Sequence, residues 1–457
     1  MMIKLLFENT LFRSIHAARL VVFLALCGMS SVWAAIPIQS WKTENGAKVL
    51  FVENHSIPVV DFSIEFDAGA RRDPNGKEGV ASLTNMMLAR GVAASEKRSE
   101  PALAEAQILD AFADTAAQRG SSVGLDRAGV TLRSLSSKAE RDAAVLLLAR
   151  VLAQPSFPSD LLSRDKARAV AAIREDLTKP EAIANRAFMK EIYGNHPYSK
   201  EPTPESVESV TRDDIVDFHR KHYVAGNAVV VIVGDLKRDQ AESIARELTI
   251  RLPGGSGERS LKQGMPAVPV AVKQEQRIAH PASQSHVLIG MPSLERGDKD
   301  FFALTVGNYI LGGGGFVSRL MHEVRERRGL AYSVYSGFSP LLQPGPFQIG
   351  LQTKKSQTDE AVRVVRKTVA DFLRSGPTDA EMKAAKDNLV QGFALRIDTN
   401  RKLLDQVAVI GYYDLPLDYL DNWTRHISQV TKADVVAAFN RKLAADRLAM
   451  VVVGSPD

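Results

Sequence analysis

One stretch of this chain returns, and that repetition constrains the fold more than any local motif. Val210-Thr211-Arg212-Asp213-Asp214-Ile215-Val216, followed by Phe218 and Arg220-Lys221, recurs as Val430-Thr431-Lys432-Ala433-Asp434-Val435-Val436, followed by Phe439 and Arg441-Lys442. The offset is 220 residues (430 − 210), growing to 221 after a one-residue slip. Both copies run into an apolar strand ending in Val-Gly, at Gly234 and Gly454, and Pro158-Ser159-Asp160 matches Pro377-Thr378-Asp379 at offset 219. Three matches in one order at nearly one offset predict a duplicated domain of about 210 residues, far longer than a solenoid repeat.

The boundary falls at Leu252 to Pro269, where Pro253-Gly254-Gly255-Ser256-Gly257 breaks every periodicity. The expected order is a leader over 1–34, an N-terminal domain over 35–252, a linker over 253–269 and a C-terminal domain over 270–457. Within the first domain, Lys48 to Glu53 and Val59 to Phe66 read as strands, the former after an Asn45-Gly46 hairpin turn, and Asp73-Pro74-Asn75-Gly76 reads as a turn. Helices are expected over Glu78 to Leu88, Lys138 to Leu152 and Ser159 to Leu177, the last opened by a Ser/Asp cap. In the second domain Val362, Val365, Val369 and Phe372 form a helical stripe, and Thr378 with Glu381 forms a capping box. Strands near both ends of each half, with helices between, predict an α+β fold: two homologous domains of sheet plus helices in one chain.

Composition excludes several classes. Hydrophobic residues make up 45% and charged residues 24% of the 457, values of a folded globular chain. A single cysteine rules out a disulfide scaffold. Of the formal charge of +5, the first 34 residues hold Lys4, Arg13 and Arg19 against Glu8, leaving +3 elsewhere, too mild a balance for nucleic-acid binding. A basic lead ending at Arg19, an apolar run from Leu20 to Leu26, and Val32 and Ala34 at the −3 and −1 positions read as a cleaved signal peptide. The run is too short for a membrane anchor, and Leu26 before Cys27 disfavours lipoprotein processing. A mature chain exported to the periplasm, without cysteine, is expected.

The chain resembles the pitrilysin or insulinase-like zinc peptidases, in their short-chain, processing-peptidase-like branch. The resemblance rests on Phe66-Asp67-Ala68-Gly69-Ala70-Arg71 with Asp73-Pro74 and Gly76-Lys77-Glu78-Gly79, on His196-Pro197-Tyr198, on Leu311 to Leu320, and on Val324-Arg325-Glu326 with Gly329-Leu330-Ala331-Tyr332. It implies a domain fold of the mitochondrial-processing-peptidase type. Catalytic members carry His-x-x-Glu-His on the helix after the first glycine-rich turn, two nitrogen ligands one helical turn apart and a base between them. The matching positions here are Ser82, Asn85 and Met86, a hydroxyl, an amide and a thioether that neither ligate zinc well nor accept a proton from water. The third ligand of the family would fall near Ala171 or Ala172, with Glu175 one turn beyond. No metal is therefore expected in this chain. His219 and His222, spaced for co-ligation, are read as an exposed helix face, as is His322 beside Glu323. A serine hydrolase built on Ser82 lacks a histidine to activate it.

The other half of the family's site is retained. The resemblance assigns Arg325 and Tyr332 to the substrate backbone and the tetrahedral intermediate, and a guanidinium fork with a phenol donor fits that task. Read on the residues alone, Arg325 pairs with Glu323 or Glu326 and Tyr332 sits in the core between Leu330 and Val334. Gly312, Gly313, Gly314 and Gly315 are not a phosphate loop, since Phe316-Val317-Ser318 follows where Gly-Lys-Ser/Thr is needed. They read as a hinge, a close packing or, by the resemblance, a substrate-contacting loop. The whole pattern implies the non-catalytic subunit of a heterodimer: a paralogous subunit binds the zinc, the two chains enclose a chamber for a peptide substrate, and Arg325 and Tyr332 act in trans. The alternative is an inert structural or peptide-binding scaffold of the same fold.

Overall fold

The computed structural model describes residues 36–254 and 261–455; the leader read over 1–34 lies outside the described residues. The first half builds β1 (Gln39–Lys42), β2 (Lys48–Glu53), β3 (Val59–Phe66), β4 (Gln118–Val123), β5 (Ala128–Leu135) and β6 (Val229–Gly234) into a sheet of order β1-β2-β6-β3-β5-β4. The second builds β7 (Glu275–Ala279), β8 (Gln284–Leu294), β9 (Ala331–Phe338), β10 (Gly345–Lys354) and β11 (Ala449–Ser455) into the order β7-β11-β8-β10-β9. Strand for strand the second sheet is the first without β1. The β2–β6 and β7–β11 pairs are parallel and the equivalent neighbours on either side antiparallel.

The duplication reaches individual atoms. Thr211 and Asp214 cap one helix, Thr431 and Asp434 its counterpart, each hydroxyl accepting the third residue's amide at 3.2 and 3.1 Å. Gly234 and Gly454 end matching strands at φ +142° and +102°, where a Cβ would lie 2.3 Å from the Val59 carbonyl oxygen and 2.7 Å from that of Gln284. The stripe Val362, Val365, Val369 and Phe372 is buried on the helix Thr358–Ser375, and the Thr378–Glu381 capping box forms. The helix Ser159–Asp176 departs from expectation at its start. Pro158 precedes it without a side-chain cap, because Ser159 is already helical and its hydroxyl cannot turn back on the first amides.

Each sheet is covered on its second face by a helix from the other half. Helix α1 (Val80–Met87) belongs to the first half's own layer and packs on β4 and β5. Helix α2 (Pro180–Tyr193), from the first half, lies on β8 and β11, while α3 (Asn400–Tyr412), its counterpart 220 residues on, lies on β6 and β3. This exchange explains why β6, Val229 to Gly234, is buried at every residue and reads as a continuous β-branched run. It also makes one compact unit of the described residues from Ile38 on. No helix among the described residues is long and apolar enough to cross a membrane.

The early motifs build the joint between the halves. The Asp126 carboxylate, 1% exposed, accepts the Tyr198 hydroxyl at 2.7 Å, the Tyr413 hydroxyl at 2.9 Å and the Leu342 amide at 2.8 Å. The Tyr412 hydroxyl donates to the Asp126 carbonyl at 2.7 Å. Arg71 is buried between Asp67 and Asp126. Gly69 must lack a side chain, since a Cβ would sit 2.4 Å from the backbone at Leu125, Asp126 and Arg127.

Candidate functional site

By the resemblance, helix α1 is the element on which catalytic members carry the zinc motif. Its first turn is secured by Asp73, whose carboxylate accepts the Gly79 and Ala81 amides, each at 2.7 Å. Burial pushes the Asp73 carboxyl up to about 6, against the pull of those two donors. Ser82 and Met86 stand exposed one turn apart on the same face. Asn85, 2% exposed, points inward and donates to the Tyr223 hydroxyl at 3.2 Å. It cross-links the core rather than facing a ligand.

These residues do not fit zinc. Ala171 and Ala172 are exposed and offer no donor, and Glu175 pairs with Lys179 at 3.0 Å. Among the described residues no three His, Cys, Asp or Glu side chains converge. His219 and His222 correct the sequence reading, because both are buried. His219 Nε2 donates to the Leu152 carbonyl at 2.8 Å and its ring stacks on Tyr223, while His222 Nδ1 donates to the Asp67 carbonyl at 3.0 Å. Helical spacing from Ile215 and Phe218 puts both on the buried side, which the adjacent Arg220 and Lys221 obscured in the sequence. Burial lowers both pKa values, that of His222 to about 4. His322 is exposed, as read.

The second half presents a different assembly. One wide helical turn, Tyr309–Gly313, holds the first two glycines of the run and a second, Met321–Glu326, follows it, and such turns are frequent at functional sites. Gly312 is buried where a Cβ would lie 2.6 Å from the Ser336 amide nitrogen, and Gly315 has φ +62° with open space around it. Gly313 and Gly314 pack against Asn308 and Tyr309. Three of the four glycines thus serve close packing, and the run thrusts Phe316 and Val317 outward, 64% and 72% exposed.

Arg325 is held by aromatic rings. Its guanidinium carbon lies 4.8 Å from the Phe316 ring centroid and 4.7 Å from that of Tyr332. Glu323 is engaged by Arg327 at 3.0 Å and Arg328 at 2.6 Å, and among the described residues no carboxylate pairs with Arg325. Tyr332 is 80% exposed and not in the core. The cause is a β-bulge: Ala331 pairs with Thr353 and Val334 with Leu351, three residues against two, so Tyr332 turns outward although it shares parity with buried Val334 and Ser336. Phe316 was missed from the sequence; its only signal is an exposed aromatic directly after a glycine run.

A chain built of two such domains, with Ser82, Asn85 and Met86 where zinc ligands and a base would stand, is of the two-domain metallopeptidase class in fold and lacks that class's metal motif. Comparison with known proteins agrees on the fold class. The sequence pattern described as peptidase M16 inactive domain matches residues 209–389. The crystal structure of a peptidase M16 inactive-domain protein from Pseudomonas fluorescens superposes with TM-score 0.85 at 36% identity, covering 92% of this chain and 98% of that one. A non-peptidase homolog of Helicobacter pylori is 28% identical over 403 residues, 86% of this chain and 88% of its own length. An uncharacterized zinc protease of Streptomyces coelicolor is 30% identical over 259 residues, 55% of each chain. The chain belongs to the peptidase M16 family.

Proposed function

We propose that the protein is the non-catalytic subunit of a heterodimeric periplasmic zinc metallopeptidase. A paralogous M16 chain carrying His-x-x-Glu-His supplies the zinc, the two chains close around a peptide, and Arg325 and Tyr332 of this chain bind the peptide at the partner's metal. The observation that carries the reading is the Arg325 guanidinium, braced by Phe316 and Tyr332 and paired with no described carboxylate. A charged fork held by its faces keeps its N–H edge free for a carbonyl or a developing oxyanion. The degenerate positions Ser82, Asn85 and Met86 support assigning the metal elsewhere.

The test is a pull-down of the tagged mature protein from its native host, with peptide hydrolysis assayed with and without a zinc chelator. A co-purifying paralogue with the intact motif and chelator-sensitive hydrolysis are expected, with turnover lost by about 10²-fold in Arg325→Ala. Chelator-sensitive hydrolysis by the pure chain, or unchanged turnover in Arg325→Ala, overturns the reading. Recovery of the chain alone and inactive replaces it with the scaffold.

A further inference from the structure

On the side of Tyr332 away from the glycine run, the open edge strand β9 borders a pocket of about 140 Å³. That volume is well below the ~300–1,000 Å³ typical of sites for whole small molecules, and suits one side chain. Tyr332 and Tyr335 supply aromatic walls, and Leu288 and Leu351 an apolar interior. Gly350 has a specific part here: a Cβ would lie 2.5 Å from the Tyr335 ring, so only glycine lets that ring lie flat across β10. The mouth carries Glu181, from the first turn of α2, with Asn185 and His286.

Glu181 is the only acidic residue of the lining, and burial lowers the His286 pKa from its ordinary value. The pocket therefore joins an apolar, aromatic shaft to a single negative charge at its mouth. That combination complements a long cationic side chain, whose methylenes pack on apolar and aromatic surface while the charged head meets the carboxylate. Tyr332 belongs to both the pocket and the Arg325 cluster, so a peptide held by Arg325 passes this mouth.

We infer that the Tyr332–Tyr335 pocket is a specificity site that seats a lysine or arginine side chain of the bound peptide, with Glu181 as the selecting group. This rests on the peptide-binding role of Arg325 proposed above. The experiment is fluorescence anisotropy of the purified mature protein with fluorescein-labelled, alanine-rich octapeptides bearing a central lysine, norleucine or glutamate. The lysine peptide should bind about five- to tenfold tighter than the norleucine peptide, with the glutamate peptide weakest. Glu181→Gln should erase the lysine preference while leaving norleucine affinity and melting temperature unchanged, whereas Arg325→Ala should weaken all three peptides alike. Equal binding of the three peptides, or a lysine preference that survives Glu181→Gln, overturns the pocket and leaves the Arg325 reading standing. No binding of any peptide by the wild-type chain overturns the pocket, while the Arg325 reading is decided by turnover of the complex.

Discussion

Asn85 shows how a position can lose its chemistry and keep a structural task. Its amide is spent on the Tyr223 hydroxyl in the core, so reinstating a glutamate would bury a carboxylate there. Asn85→Glu should lower stability by about 2 kcal/mol in urea denaturation, whereas Ser82→His and Met86→His, on the exposed face, should each cost under about 0.5 kcal/mol. Equal losses at all three sites would refute the inward role of Asn85. The buried histidines make a pH prediction. His222 titrates near 6.5 when unfolded and at about 4 when folded, so between those values the unfolded chain binds more protons. Its contribution is complete above pH 6.5 and is lost as pH falls toward 4, on the order of 3 kcal/mol. Asp73, raised to about 6, acts with the opposite sign, so the measurement is a difference: stability of wild type minus His222→Gln, followed from pH 7.5 to 4.5, should shrink as pH falls. The loss of the metal motif at Ser82, Asn85 and Met86 was legible because a hydroxyl, an amide and a thioether differ in kind from two imidazoles and a carboxylate. The burial of His219 and His222 was not, because Arg220 and Lys221 mask the helical stripe in a linear reading.

At the scale of elements, regular strands and helices were legible and the irregular ones were not. Lys48–Glu53 and Val59–Phe66 follow from β-branched runs between turn residues. The outward turn of Tyr332 could not be read, because period-two reasoning assigns it to the face of Val334 and a bulge of one residue reverses that. Nor could the braced Arg325, which depends on a loop folding Phe316 back over a helix. The glycine run offers a test of which of its members are packed and which are bent. Gly312→Ala would drive a Cβ into the Ser336 backbone, a contact no side-chain movement relieves, and should cost about 2–3 kcal/mol. Gly315→Ala meets nothing and bears only the cost of a left-handed backbone, about 1 kcal/mol. Thermal denaturation of the two variants should give a clearly larger drop in Tm for Gly312→Ala. The reverse order would show that the run acts as a hinge.

For the whole molecule, the duplication visible at offset 220 told how many domains to expect but not that they exchange helices. That exchange depends on α2 and α3 crossing to the partner sheet, and nothing in their own sequences names their destination. Its consequence is that the covalent linker contributes little to holding the halves together. Gly411 of α3 sits so close to Leu50 and Val229 that a Cβ would lie 2.7 and 2.8 Å from them, and Phe188 of α2 packs equally tightly over Gly290. The Asp126 carboxylate then ties Tyr198 of the first half to Tyr413 and the Leu342 amide of the second. A protease site engineered between Gly254 and Leu261 and then cut should leave two fragments that co-elute in gel filtration and melt in one transition. Asp126→Ala strands the buried Arg71 guanidinium with Asp67 as its remaining carboxylate and frees two phenols. It should cost about 3–5 kcal/mol and, in the cut protein, let the fragments separate. Separation of the cut wild-type protein would show that the exchanged helices do not hold the molecule, and that the linker does.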